Sequence, residues 1–392
     1  MRITVTGIGL ATAIGNEPDE VLYAMKNKIH GLAPVSLFET KHRFPVGEVK
    51  YTNAQLYEKL GLTKGTFSRT ALLGMLAASN ALEDAKLNNI DGLKIGVISS
   101  TSTGGMDLTE NFYREFMYDN MRGRLRHAAS HDCADSTLHI AGYCGIRHFS
   151  TTISTACSSA ANAIIAGARL LKNGFLDYAL VGGTDALCRF TLNGFNALMI
   201  LDKNPCRPFD AGRAGLNLGE GAGFLLLQPE RNLQRTPYCF LSGYANANDA
   251  FHQTATSEKG DGAFLSMRKA LEKSELQPQH IDYVNIHGTG TKNNDASEGA
   301  ALIRIFGEKI PPFSSTKPFT GHTLAAAGGI EAVFSVLAIH KGMVFPNLNY
   351  ENPMENTALI PQTQLSEKYE IRHVMSNSFG FGGNSSTLIF SK

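Results

Sequence analysis

Ser154-Thr-Ala-Cys-Ser-Ser-Ala-Ala-Asn-Ala163 takes over from a short β-branched run, Thr151 to Ser154, and opens a helical stretch that closes near Gly174. Phe319-Thr-Gly-His-Thr-Leu-Ala-Ala-Ala-Gly328 echoes it and runs as helix to about Gly342. Laid over one another, the two segments place Cys157 opposite His322, each at the start of a helix rich in small residues. Such helices can be buried closely between layers, so the echo predicts a duplicated α/β half.

The surroundings agree. Ile3–Val5, Lys94–Ser99, Tyr178–Val181, Tyr238–Ser242 and Ile281–Ile286 are short β-branched runs, followed by Gly/Ser/Thr turns and helical periods. That alternation implies an α/β fold with buried strands. The polar stretch from Pro229 to Pro237 joins two halves, residues 1–232 with Cys157 and residues 233–392 with His287 and His322.

Composition bounds the function. Hydrophobic residues are 43% and charged residues 18% of 392, which fits a globular chain with a large core and excludes general disorder. Lys plus Arg (36) balance Asp plus Glu (35), leaving no basic field for nucleic acid. Cys133, Cys144, Cys157, Cys188, Cys206 and Cys239 form no CxxC pair and no zinc-finger spacing, the pattern of reduced thiols in a cytoplasmic protein. The opening residues lack the basic region and long apolar core of a signal peptide, and Ala160–Leu171 is too short and too interrupted to span a membrane. A soluble protein is expected.

Cys157 faces the free N–H groups and positive end of the helix it precedes, which favours thiolate and makes it a candidate nucleophile. His287, in Val284-Asn-Ile-His-Gly-Thr-Gly-Thr291, stands where an apolar strand ends, with Thr289 and Thr291 offering hydroxyls to a polar ligand arm. His322 lies just after Lys317 at the second helix entrance. There the helix dipole and the lysine both oppose a further positive charge, so a neutral, hydrogen-bond-donating imidazole is predicted. Asp295 and Glu298, at i and i+3, share a helical face from which either can pair with Lys317. No histidine pair at helical spacing accompanies them, so no metal site is expected. In Asn377-Ser-Phe-Gly-Phe-Gly-Gly-Asn384, glycines bring backbone N–H groups toward a ligand, with Phe381 as a lid.

Five motifs stand in a fixed order: Thr155-Ala-Cys-Ser-Ser159; Arg207-Pro-Phe-Asp210 continuing to Gly219-Glu-Gly-Ala-Gly223; His287-Gly-Thr-Gly-Thr291; Lys317 with Gly321-His322; and Phe379-Gly-Phe-Gly-Gly383. In that order, from Val5-Thr-Gly-Ile-Gly9 to Leu388, the chain resembles an elongating β-ketoacyl-acyl-carrier-protein synthase of the thiolase superfamily. The resemblance implies the thiolase fold, two similar halves in five α-β-α-β-α layers. It implies a dimer, either a homodimer or a heterodimer with a non-catalytic chain-length-determining partner.

By the same resemblance Cys157 accepts the acyl group, His287 and His322 assist decarboxylation of the malonyl unit, and Lys317 holds the histidines electrostatically with Glu298. The N–H groups of Cys157 and Phe381 form the oxyanion hole, Phe381 gates the pocket, and Thr289 and Thr291 meet the phosphopantetheine arm of acyl carrier protein. No bound cofactor is implied. Lys64, Arg69 and Arg207 occupy positions of carrier contacts, and Thr109 one that limits pocket depth. The chain departs from the common pattern at Asn294, where glycine is usual, and at Asn384-Ser385, in place of Thr-Asn. No second cysteine follows Cys239, which disfavours a degradative thiolase. Because Cys157 and both histidines are present, the chain is itself not expected to be the non-catalytic partner.

Overall fold

A computed structural model describes residues 1–87, 90–355, 357–367 and 370–392. The first half contains strands β1 (Ile3–Ala11), β2 (Ile95–Ser100), β3 (Phe149–Ile153), β4 (Tyr178–Asp185) and β5 (Gly221–Pro229). Among its helices are α1 (Arg69–Asp84), α2 (Met106–Tyr118), α3 (Cys133–Tyr143), α4 (Ser159–Lys172) and α5 (Arg189–Ala197). The second half contains β6 (Cys239–Asn248), α6 (Asp261–Ser274), β7 (Tyr283–Asn285), α7 (Lys292–Phe306), β8 (Phe313–Ser314), α8 (Ala327–Lys341), β9 (His373–Phe379) and β10 (Asn384–Ser391).

The ladder of strands runs β3-β2-β4-β5-β1, then β6-β10-β9-β7-β8. Outward from the centre each half repeats one sequence of pairings: antiparallel, antiparallel, parallel, parallel. The halves meet where β1 pairs antiparallel with β6, Ile3 opposite Leu241 and Val5 opposite Cys239. The duplication seen in the sequence echo is therefore a duplication of topology, with β3–α4 matching β8–α8. Of the strands in parallel pairs, β2, β4, β7, β8 and β9 are buried along most or all of their length, whereas the edge strand β3 is exposed to half-buried.

Five layers follow from what each helix covers. The α1 and α3 helices lie on the outer face of the first half, α6 and α7 on that of the second, and α4 and α8 pack against each other in the middle. The central helices can approach only where side chains are small: a Cβ on Gly223 of β5 would fall 2.4 Å from the backbone nitrogen of Ile330 in α8. Residues 324–341, ending with α8, make an apolar stretch of 18 residues, long enough to cross a membrane, but 89% of it is buried inside the fold. It is a core element.

Candidate active site

Both central helices begin at the same end of the sheets, and so do the loops after β7 and β9. Cys157 stands just ahead of Ser158, the residue that precedes α4. The residue before it, Ala156, has φ of 51°, a left-handed conformation that costs a non-glycine residue roughly 1–2 kcal/mol. The turn is held by Ser159, whose N–H and hydroxyl both donate to the Ala156 carbonyl, the hydroxyl at 2.5 Å.

Cys157, His287, Thr289, Thr291, His322 and Phe381 line one cavity of about 360 Å³. The His287 and His322 rings meet edge to face, with centroids 5.3 Å apart. A second, apolar cavity shares Cys157, Phe195, Leu198 and Phe381 with the first and adds Ala156 and Leu324. The Phe381 ring, like the thiol, borders both chambers. It stacks on Phe195 at 6.0 Å.

Burial governs the electrostatics. It pushes the Cys157 thiol up to about 11, against the opposing pull of Lys317 and of the N–H groups of Phe381 and Cys157 itself. The expectation of a resting thiolate is corrected here: desolvation outweighs the helix end and the nearby cation. Two N–H groups, those of Cys157 and Phe381, are directed at the sulfur. Both imidazoles are held well below the usual histidine range, first by burial and then by Lys317, with His322 adding to the effect on His287. They are neutral donors at neutral pH.

Lys317 is 1% exposed. Its ammonium donates to Glu331 at 2.5 Å, to the His287 carbonyl at 2.5 Å and toward His287 Nδ1 at 3.4 Å. Because the lysine can only donate, Nδ1 accepts and the His287 proton resides on Nε2. The ion pair of Lys317 is with Glu331; on Glu298 the cation acts only as a lesser pull against burial. Glu298 instead accepts the N–H groups of His287 (2.9 Å) and Gly288 (2.8 Å), fixing the backbone of the histidine loop. Asp295 also turns to backbone: it accepts from Phe209 N–H at 2.9 Å and Gly290 N–H at 3.2 Å, with Arg213 at 3.9 Å. A helix following a turn offers its carboxylates to that turn's free N–H groups, so neither carboxylate reaches the lysine.

Other expected residues lie elsewhere. Arg69 is 3% exposed and bound to Glu220 through both Nε and Nη2, which removes it from any carrier surface. Arg207 is partly exposed beside Asp210 and Glu351, and Lys64 is exposed. Thr109 lines neither chamber; its hydroxyl donates to the Gly105 carbonyl at 3.2 Å.

Sequence reasoning missed two carboxylates. Glu331 is the one acidic residue in the apolar run 324–341, and a lone carboxylate in such a helix demands a buried partner. Asp185, ending β4, accepts from Thr101, Ser102 and Thr103 and from Ala325 N–H (2.8 Å), tying the loop after β2 to the chain beyond His322.

A buried thiol and two neutral imidazoles at the junction of two duplicated α/β halves define a thiolase-fold condensing enzyme. Comparison with known proteins narrows this. Residues 1–232 match the β-ketoacyl synthase N-terminal domain and residues 238–351 the C-terminal domain. The chain is 34% identical to a 3-oxoacyl-[acyl-carrier-protein] synthase 2 of Synechocystis and 31% identical to one of Staphylococcus aureus, covering 100% of this chain and 98% of each relative. Among solved structures it resembles the ishigamide ketosynthase/chain length factor, with a TM-score of 0.93 at 27% identity over 100% of this chain and 99% of that one. It also resembles the ketosynthase ApeO in complex with its chain length factor ApeC from Xenorhabdus doucetiae, with 0.87 at 31% over 100% and 98%. The chain belongs to the β-ketoacyl synthase family.

Proposed function

We propose that this protein is a 3-oxoacyl-carrier-protein synthase of the cytoplasm, and that Cys157 and the His287–His322 pair divide the reaction. The observation that carries the reading is the convergence of these three side chains on one cavity that Phe381 also lines. In the first half-reaction the Cys157 sulfur attacks the thioester carbon of an acyl carrier. The carrier's thiol leaves with the proton that Cys157 gives up, so the exchange is balanced. The N–H groups of Cys157 and Phe381 hold the oxyanion.

In the second half-reaction a malonyl carrier enters the same chamber, its phosphopantetheine arm passing Thr289 and Thr291. Loss of CO₂ leaves the bonding electrons on the thioester as an enolate, whose oxygen the two neutral imidazoles stabilise. The enolate carbon attacks the acyl-Cys157 carbonyl, the bond to the Cys157 sulfur breaks, and the departing thiolate takes a proton from solvent. No strong base is required, which suits a site where burial keeps both histidines neutral. Residues 1–232 supply the nucleophile, and residues 233–392 supply the histidines and the gate.

The chamber beyond Phe381 fits a hydrocarbon chain. Its hydroxyls are already engaged: Ser102 and Thr103 donate to Asp185 at 2.6 and 3.0 Å, and Thr191 to the Cys188 carbonyl at 2.9 Å. A subunit of the same fold, either a second copy or a related chain, covers the apolar face around α2, where Tyr118 is 83% and Met121 89% exposed. The likeness to complexes of ketosynthase with chain length factor favours keeping the heterodimer as a second reading.

The test is mass spectrometry of the protein after incubation with octanoyl and malonyl carriers. The expected results are an acyl adduct on Cys157 and a 3-oxoacyl-carrier product. Product formation by Cys157→Ala would sink the assignment.

A further inference from the structure

Phe381 can pass an acyl chain from one chamber to the other only by moving, and the backbone that carries it is tied on both sides. Gly382 and Gly383 both have φ of 79°, conformations that leave the turn to glycine. Immediately after them the chain is fastened. The Gly380 N–H donates to the Asn384 carbonyl at 2.7 Å, closing the gate turn onto the first residue of β10.

The Asn384 side chain carries the fastening inward. Its Oδ1 accepts from Asn162 Nδ2 at 2.9 Å and Asn246 Nδ2 at 2.7 Å, and lies 2.8 Å from Ser158 Oγ, whose single proton it shares with the Thr155 carbonyl at 2.8 Å. Ser158 follows the nucleophile directly, Asn162 lies in the first turn of α4, and Asn246 belongs to β6. The same donors are cross-linked: Asn162 also donates to Thr155 Oγ1 at 2.8 Å, and Asn246 and Ser386 both donate to Asn162 Oδ1, at 3.0 and 2.8 Å. One amide oxygen therefore ties the end of the gate turn to Ser158 and Asn162, on the helix side of Cys157, and to β6. Asn384 is also one of the two positions where the chain departs from the common Thr-Asn pattern, and a shorter side chain leaves that oxygen's place empty.

We infer that Asn384 is a positioning residue that couples the Phe381 gate to the Cys157 loop, holding the ring in the closed position between the chambers. The inference rests on the condensing function proposed above. With the anchor in place, opening falls to residues 381–383, where it must also part the ring from Phe195 and release the Gly382 N–H from the Gln253 carbonyl (2.7 Å). Without it, the strand end and the nucleophile turn lose their shared partner, and the ring moves at lower cost.

Acyl-chain length separates this from a general structural role. An acetyl group is accommodated beside Cys157 without passing the ring, whereas an octanoyl group must enter the second chamber. The experiment measures the rates of Cys157 acylation from acetyl and octanoyl carriers in the full-length protein, by intact mass. For Asn384→Ala the ratio of octanoyl to acetyl rates is expected to rise about tenfold, the equivalent of one net hydrogen bond. The anchor uses only the oxygen, so Asn384→Asp, which retains it, is expected to keep the wild-type ratio.

An unchanged or lowered ratio in Asn384→Ala overturns the inference, since loss of fold slows both substrates alike. So does a ratio in Asn384→Asp that shifts as far as it does in Asn384→Ala. Failure of the wild type to accept either acyl group would instead refute the proposed function, leaving the two outcomes distinct.

Discussion

Replacing Lys317 by methionine separates what the buried cation does for stability from what it does for chemistry. Lys317 is the one partner of the Glu331 carboxylate among the described residues: Oε1 receives the ammonium and Oε2 has none. Burial already raises the Glu331 carboxyl against the pull of the lysine. Removing the lysine leaves a buried, uncompensated charge, a loss of about 3–5 kcal/mol. For a chain of this length that is a fall of roughly 4–6 °C in melting temperature.

The double variant Lys317→Met/Glu331→Met replaces the pair by apolar groups and should regain most of this, because a buried ion pair and a well-packed apolar pair are close in free energy. The His287 carbonyl still lacks its donor, so about 1 kcal/mol stays lost. Chemistry should not return. In both variants His287 Nδ1 has no lysine to accept from, its proton is no longer held on Nε2, and condensation slows about 100-fold. Acylation of Cys157, which does not use that proton, falls far less. The assays are thermal melts beside single-turnover acylation and condensation. Recovery of condensation in the double variant, or a double variant as unstable as the single, would refute the account.

The two half-reactions should differ in their response to pH. In Cys157→Ala, decarboxylation of malonyl carrier should stay level from about pH 8 to 6, because imidazoles whose pKa is lowered remain neutral until pH falls below the ordinary 6.5. An inflection at 6.5 would contradict the buried neutral pair. Acylation of the wild type should instead rise with pH as the thiol, at about 11, ionises to a growing extent. For the surface, Arg69→Ala should cost about 3–5 kcal/mol by stranding Glu220, yet leave the KM for carrier unchanged. Lys64→Glu should raise that KM several-fold in low salt and leave stability within about 0.5 kcal/mol of the wild type. The opposite pattern would return Arg69 to the carrier surface.

The positions of strand and helix were legible because apolar period and glycine turns are local properties. Ile3–Val5 lies within β1 and Tyr178–Val181 within β4, although each strand extends beyond the run that announced it. The extension is physical: Gly7 and Gly9 are poor strand formers, and they are accepted because Cβ atoms there would strike the Ala81 and Ala77 carbonyls of α1. Asp295 and Glu298 were found by spacing and misassigned by partner, since spacing along one helix says nothing of which distant donors face it.

What the sequence by itself determined is the order of the motifs, the duplicated half and the residue types at the two helix entrances, because these are matters of pattern along the chain. Pattern also predicted a neutral His322, from the lysine close in sequence, although burial is the larger cause. The tertiary structure alone decided the balance of forces on Cys157, where burial exceeds the helix end and leaves a thiol. It alone assigned Glu331 to Lys317, closed Arg69 inside the fold and brought Asn384 to Ser158. Each of these depends on how much water is removed and which donor arrives from across the junction of the halves, quantities that no single stretch of chain contains.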